Sequence, residues 1–182
     1  MATASQSESR KKKSSSPTRS GVTKTGKASM QIDDAVTSLM RDHRRVEDLF
    51  KQYEAAKDDD AKKQQIFQQI NLELKVHTPI EEEIFYPASR AYVDDQETVN
   101  EAVVEHQSAK DLMAQLESME PSDDYYDAKV KVLQEMIEHH VEEEEQEYFP
   151  ECRRSEMDLK AIGEEMDARK QELMGELGMR PH

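Results

Sequence analysis

Cysteine occurs once, at Cys152, so the chain can close no disulfide on itself. Tryptophan is absent, aromatics are 5% of the residues and there are only five glycines, whereas 36% of the residues are charged. Sheets draw on aromatic and β-branched residues with glycine turns, so this balance excludes a β-rich fold and fits long helices with charged faces. No apolar run approaches the ~18 residues a membrane span needs. The basic N-terminus is followed by no apolar stretch of the secretory kind. The expectation is an all-α, soluble, cytoplasmic protein without a membrane partner. No nucleophile triad, phosphate loop or zinc-finger spacing is present.

The net charge of −15 hides an asymmetry. Residues 1–28 hold seven Lys or Arg against Glu8 alone, a net of +6, which leaves −21 on the rest. That segment is Ser, Thr, Lys and Gly with little that is apolar, a composition that does not fold on its own. It is expected to be a disordered basic tail, and nucleic acid could bind there only weakly, because the acidic body repels polyanions.

What the chain does have is an internal repeat. HTPIEEEIFYP, His77 to Pro87, is echoed by HHVEEEEQEYFP, His139 to Pro150, at an offset of 63 residues. His77, Glu81, Glu82 and Pro87 answer to His140, Glu144, Glu145 and Pro150. The same offset pairs His43 with His106, so each half reads His, thirty-four residues on a second His, and four further a Glu.

Apolar residues at spacings of three and four place these groups on four helices. The first starts near Gln31 and its stripe is Val36, Leu39, Met40, His43, Val46, Phe50 and Tyr53. The second, opened by Asp58, Asp59 and Asp60, carries Ile66, Ile70, Leu74, His77, Glu81, Ile84 and Ala88, with Pro87 bending or ending it. The third, about Asp94 to Ser118, carries Val99, Ala102, Val103, His106, Ala109, Met113 and Leu116. After Pro121 the fourth carries Tyr126, Val130, Leu133, Ile137, His140, Glu144 and Tyr148. Residues 30–152 are thus expected to form an up-down-up-down four-helix bundle. Residues 153–182 add an extra C-terminal helix, about Met157 to Met174, and a tail.

Residues four apart on a helix face the same way, so His77 and Glu81 point together, as do His140 and Glu144. Four imidazoles and two carboxylates then meet inside a bundle, where unpaired charge would cost several kcal/mol per group, on the order of what a bound cation relieves. Six nitrogen and oxygen ligands exceed one tetrahedral zinc and suit two metals. His43 and His77 are assigned to one, His106 and His140 to the other, with Glu81 and Glu144 bridging.

The motifs DH, HTPIEEEIFYP, EH and HHVEEEEQEYFP resemble the hemerythrin-like, HHE cation-binding family over roughly residues 32–150. The resemblance implies a four-helix bundle holding two iron ions as an oxo- or hydroxo-bridged pair, with zinc or manganese second to iron. It also implies a small-molecule ligand: dioxygen, peroxide or nitric oxide. The oxygen carriers of that family place a further His one turn along the third helix, where this chain has Lys110, or Ala102 one turn before. They place the fourth-helix carboxylate five residues after the His, which would be Glu145; the repeat register prefers Glu144.

Among the remaining residues, His139 lies about 100° off the core stripe. Glu82 and Glu145 are candidates to accept from ligand imidazoles. Pro79 removes the hydrogen bond to the Lys75 carbonyl. Cys152 reads as a surface thiol. Iron storage or donation, repair of iron centres, and a bundle stabilised by a structural metal are the alternatives to a protein that binds, senses or reduces oxygen species.

Overall fold

The computed structural model describes residues 33–94 and 96–178, and the basic segment at 1–28 lies outside them. Five long helices account for most of the described residues: α1 (Ala35–Ala56), α2 (Asp60–Ile80), α3 (Gln96–Glu117), α4 (Tyr126–Glu143) and α5 (Leu159–Glu176). Local chemistry sets their starts. The carboxylates of Asp34, Asp59 and Asp158 each accept from the backbone N–H three residues on, at 3.0 Å, which satisfies one of the free donors of α1, α2 and α5.

Neither α2 nor α4 stops where its α-helical part ends. Each runs into a π-helical turn, Glu81–Phe85 and Glu144–Tyr148, and then a short helical segment, Tyr86–Ser89 and Phe149–Arg154. The Tyr86 N–H donates to the Glu81 carbonyl and the Phe149 N–H to the Glu144 carbonyl, five residues back in both cases. The two turns are 63 residues apart, as the motifs are. Pro79 therefore does not cause them: its counterpart is Glu142, and both halves have the turn.

A π turn inserts one residue into the helical register. The α-helical stripe expected Ile84 and Ala88 to be buried; instead Phe85 and Ser89 are fully covered, one position later each. Val103, also expected inside, is exposed.

Helix α1 packs on α2 and α3 on α4, and α5 lies across α1 and α2. The bundle is hemerythrin-like and up-down-up-down, with α5 as the extra helix. Its apolar interior falls into two clusters. One contains Val36, Leu39, Ile80, Phe85, Tyr148 and Phe149, and extends to Met166 of α5. The other contains Phe50, Phe67, Ile70, Met113, Tyr126 and Leu133. The histidines and two glutamates form a polar layer within this apolar interior. Among the described residues no helix is long and apolar enough to cross a membrane.

Candidate metal centre

All six residues expected at the centre are buried: His43, His77, Glu81, His106, His140 and Glu144. One atom each from His43, His77, Glu81 and Glu144 lies within 4.8 Å of the others, and the same holds for Glu81, His106 and His140. His43 Nε2 is 3.2 Å from His77 Nε2, and His106 Nε2 is 3.2 Å from His140 Nε2. The carboxylates cross between these pairs. Glu81 Oε2 is 3.1 Å from His77 Nε2 and 3.4 Å from His106 Nε2. Glu144 Oε2 is 3.3 Å from His43 Nε2 and 3.6 Å from His140 Nε2.

The π turns explain how two consecutive glutamates serve one imidazole. Glu145 Oε1 is 2.9 Å from His43 Nδ1 while Glu144 faces His43 Nε2. Glu82 Oε1 is 2.9 Å from His106 Nδ1 while Glu81 faces His106 Nε2. The residues before the first and third histidines complete the pattern: Glu105 Oε2 lies 2.9 Å from His140 Nδ1, and Asp42 Oδ2 lies 3.8 Å from His77 Nδ1. Asp42 and Glu105, the acidic letters of DH and EH, could have been found as outer partners from the repeat. Every Nδ1 thus has a carboxylate facing it, and at the three held at 2.9 Å this fixes the ring tautomer and turns the Nε2 lone pair inward.

Beyond each carboxylate stands a base. Arg44 pairs with Glu145, Lys170 with Asp42, and Lys110 with Glu82 at 2.7 Å, whereas Glu105 faces exposed His139 at 3.9 Å. Lys110 is therefore occupied at Glu82 and does not point into the layer. His139 stays outside the inner set, as its helical angle predicts.

The carboxylates give the layer a strong pull on positive charge. Burial opposes protonation of His77, yet the Glu81 and Asp42 carboxylates raise it to about 10. Against the same burial penalty, Glu144 and Glu105 raise His140 to about 9. Burial pushes the Glu144 carboxyl up, but His140 and His43 hold it well below its ordinary range. The residues fit a metal on a further observation: both oxygens of Glu81 and Oε2 of Glu144 are buried without a hydrogen-bond partner. A buried carboxylate oxygen left bare is costly unless a cation meets it.

Aromatic rings wall the layer. Phe149 stacks on His43 with planes 11° apart, and its repeat counterpart Tyr86 stacks on His106. Cys152, read from sequence as a surface thiol, is fully buried in the first apolar cluster, because the chain stays helical past Pro150 to Arg154.

Residues 34–152 match the family described as Hemerythrin HHE cation binding domain. The chain belongs to that family of metal-binding domains. A crystal structure of a Hemerythrin HHE cation binding domain-containing protein from Mycobacterium kansasii superposes with a TM-score of 0.68 at 25% identity, over 79% of this chain and 89% of that one. The chain is also 31% identical over 123 residues to a DNA nickase of Nostoc sp., covering 68% of this chain but 34% of the Nostoc protein. It therefore spans about a third of that relative's length.

Proposed function

We propose that the protein holds two iron ions in this layer and there binds, senses or reduces dioxygen, peroxide or nitric oxide. His43 and His77 would hold one ion, His106 and His140 the other, with Glu81 and Glu144 shared. The observation that carries the reading is that each of these carboxylates reaches one imidazole of each pair, at 3.1 to 3.6 Å. Imidazole and carboxylate together favour iron over a purely structural zinc site, which prefers four ligands. Bound iron supplies open coordination positions and electrons for a small ligand.

The chain's own residues set what reaches that position. A cavity beside the four imidazoles is lined by Val46, Leu74, Ile137 and Val141 and offers only about 10 Å³ to the centre of a water-sized sphere. That is roughly room for one water molecule. With Lys110 where the carriers have a further histidine, two imidazoles face each ion, which favours reaction or sensing over reversible carriage. The nickase activity named for the Nostoc relative belongs to a much longer protein, and the net charge of −21 outside the first 28 residues repels nucleic acid.

Metal analysis together with stopped-flow mixing of the reduced, iron-loaded protein with oxygen tests the reading. Two irons per chain and a rapid, irreversible spectral change are expected. One tightly held zinc without iron uptake would overturn it in favour of a structural metal. No spectral change would favour iron storage or donation, and an adduct that reverses on removing oxygen would favour a carrier.

A further inference from the structure

The C-terminal helix has no counterpart in the repeat, yet it reaches the polar layer. Lys170 of α5 pairs with Asp42 Oδ1, and both side chains are largely buried, at 13% and 6% exposure. The corresponding cations elsewhere are more open: Lys110 is 33% and Arg44 52% exposed. A charge pair withdrawn from solvent is screened far less than a surface pair, so Lys170 has the firmest hold on its carboxylate.

That carboxylate is also the one that stands off. Asp42 Oδ2 is 3.8 Å from His77 Nδ1, whereas the repeat-related Glu105 lies 2.9 Å from His140 Nδ1. Asp42 is one methylene shorter than Glu105, and Lys170 holds its other oxygen. Asp42 Oδ2 and His77 Nδ1 are in consequence both buried without a hydrogen-bond partner.

Packing fixes where Lys170 arrives. A Cβ on Gly163 would fall 2.5 Å from the Asp33 carbonyl oxygen and 2.8 Å from the Ala35 nitrogen, so only glycine lets α5 sit this close to the start of α1. Seven residues further, about two turns or ~10 Å along the helix, Lys170 meets Asp42. Arg169 anchors the same turn to Glu83 at 2.8 Å.

We propose that α5 is a working part of the metal centre, with Lys170 a positioning residue: it fixes the Asp42 carboxylate at its stand-off from His77 and makes the two repeat-related metals unequal. The inference rests on the two-iron reading above. Without Lys170 the carboxylate is free to rotate away, His77 Nδ1 loses the negative charge that faces it at 3.8 Å, and the metal held by His43 and His77 leaves faster. The metal held by His106 and His140, whose outer carboxylates are Glu82 and Glu105, is untouched.

The test loads the full chain with ferrous iron without air, adds excess ferrous chelator and follows release. In Lys170→Met one of two irons should leave about 10 to 100 times faster than in the unaltered protein, the usual effect of losing an outer partner, and Lys170→Arg should restore the slow rate. Mössbauer spectra should show one of two iron signals moved by Lys170→Met. Should Lys170→Met fail to fold by circular dichroism, Asp42→Asn must give the same single-iron acceleration. Unchanged release, or equal acceleration of both irons, overturns the proposal. An unaltered protein that takes up fewer than two irons instead defeats the two-iron reading itself.

Discussion

Tyr86 donates its hydroxyl hydrogen to Glu144 Oε1 at 2.8 Å, and Phe149, which answers it in the second half, has no hydroxyl to offer Glu81. Glu144 is thus supported on one side while Glu81 is bare on both. Tyr86→Phe should lower the stability of the metal-free protein by about 1.5–3 kcal/mol, the loss of one hydrogen bond to a charged acceptor. Urea unfolding measures it. A change below about 0.5 kcal/mol would mean the bond contributes nothing net.

Acid–base linkage gives opposite slopes to the two forms of the protein. In the metal-free fold His77 and His140 are held protonated up to about 10 and about 9. An unfolded histidine titrates near 6.5, so the stability these pairs contribute is complete below about pH 6.5 and is lost as pH rises through about 9 to 10. Glu82, held down to about 2 first by its bond to His106, contributes above its unfolded value of about 4.5 and loses that as pH falls toward 2. Metal needs neutral imidazoles, so its binding strengthens as pH rises. The increase in Tm on iron loading should be larger at about pH 8.5 than at about pH 6, as differential scanning fluorimetry would show.

The register shift at the π turn is open to a paired substitution. Phe85→Ala, at a fully buried ring, should cost about 3–5 kcal/mol, while Ile84→Ala, at the position an uninterrupted helix would bury, should cost clearly less. Equal costs in chemical denaturation would return the turn to an ordinary α-helical register.

The repeat explains which parts are legible in the sequence. Histidines at matching places in four apolar stripes predict their convergence, because helical geometry turns spacing into direction. The sequence offers no such arithmetic for the π turns. Glu81 to Phe85 satisfies α-helical periodicity well enough, and the extra residue is recognisable only when Phe85 rather than Ile84 proves buried. The burial of Cys152 escapes the sequence for another reason: it stands four residues after Tyr148, on the same stripe, but Pro150 reads as the end of the helix. Asp42 and Glu105 stand in the aligned motifs but fall off the apolar stripe, so periodicity does not select them. Lys170 cannot be found from the repeat, since α5 lies outside it.

Burial also sets the chemistry of the one thiol. Burial, and after it the charges of Glu144 and Glu151, push Cys152 up to about 12. Thiolate is the reactive form, so a thiol reagent at neutral pH should leave the native protein unlabelled for hours and label it once denatured. Rapid stoichiometric labelling without loss of structure would contradict the burial.

His140→Ala should remove bound metal, whereas His139→Ala should leave the metal content unchanged, because exposed His139 faces Glu143 and the far oxygen of Glu105 rather than the layer. Metal content after desalting decides. If the two variants lost equal amounts, α4 would have to be turned about its axis to bring His139 into the layer.

Because the π turn falls at the same place in both halves, each helical hairpin by itself supplies two histidines, one inner carboxylate and two outer carboxylates, one of them in the turn. Two copies of one such hairpin, related by a twofold axis running between the carboxylates, would present the whole inner set. Among the differences that keep the present chain from that symmetry, three touch the layer's carboxylates: a hydroxyl on Tyr86 that Phe149 lacks, a methylene that Asp42 lacks against Glu105, and a fifth helix on one side only. The layer is thus close to symmetric but made directional at three points, so that two cations held there would meet different surroundings.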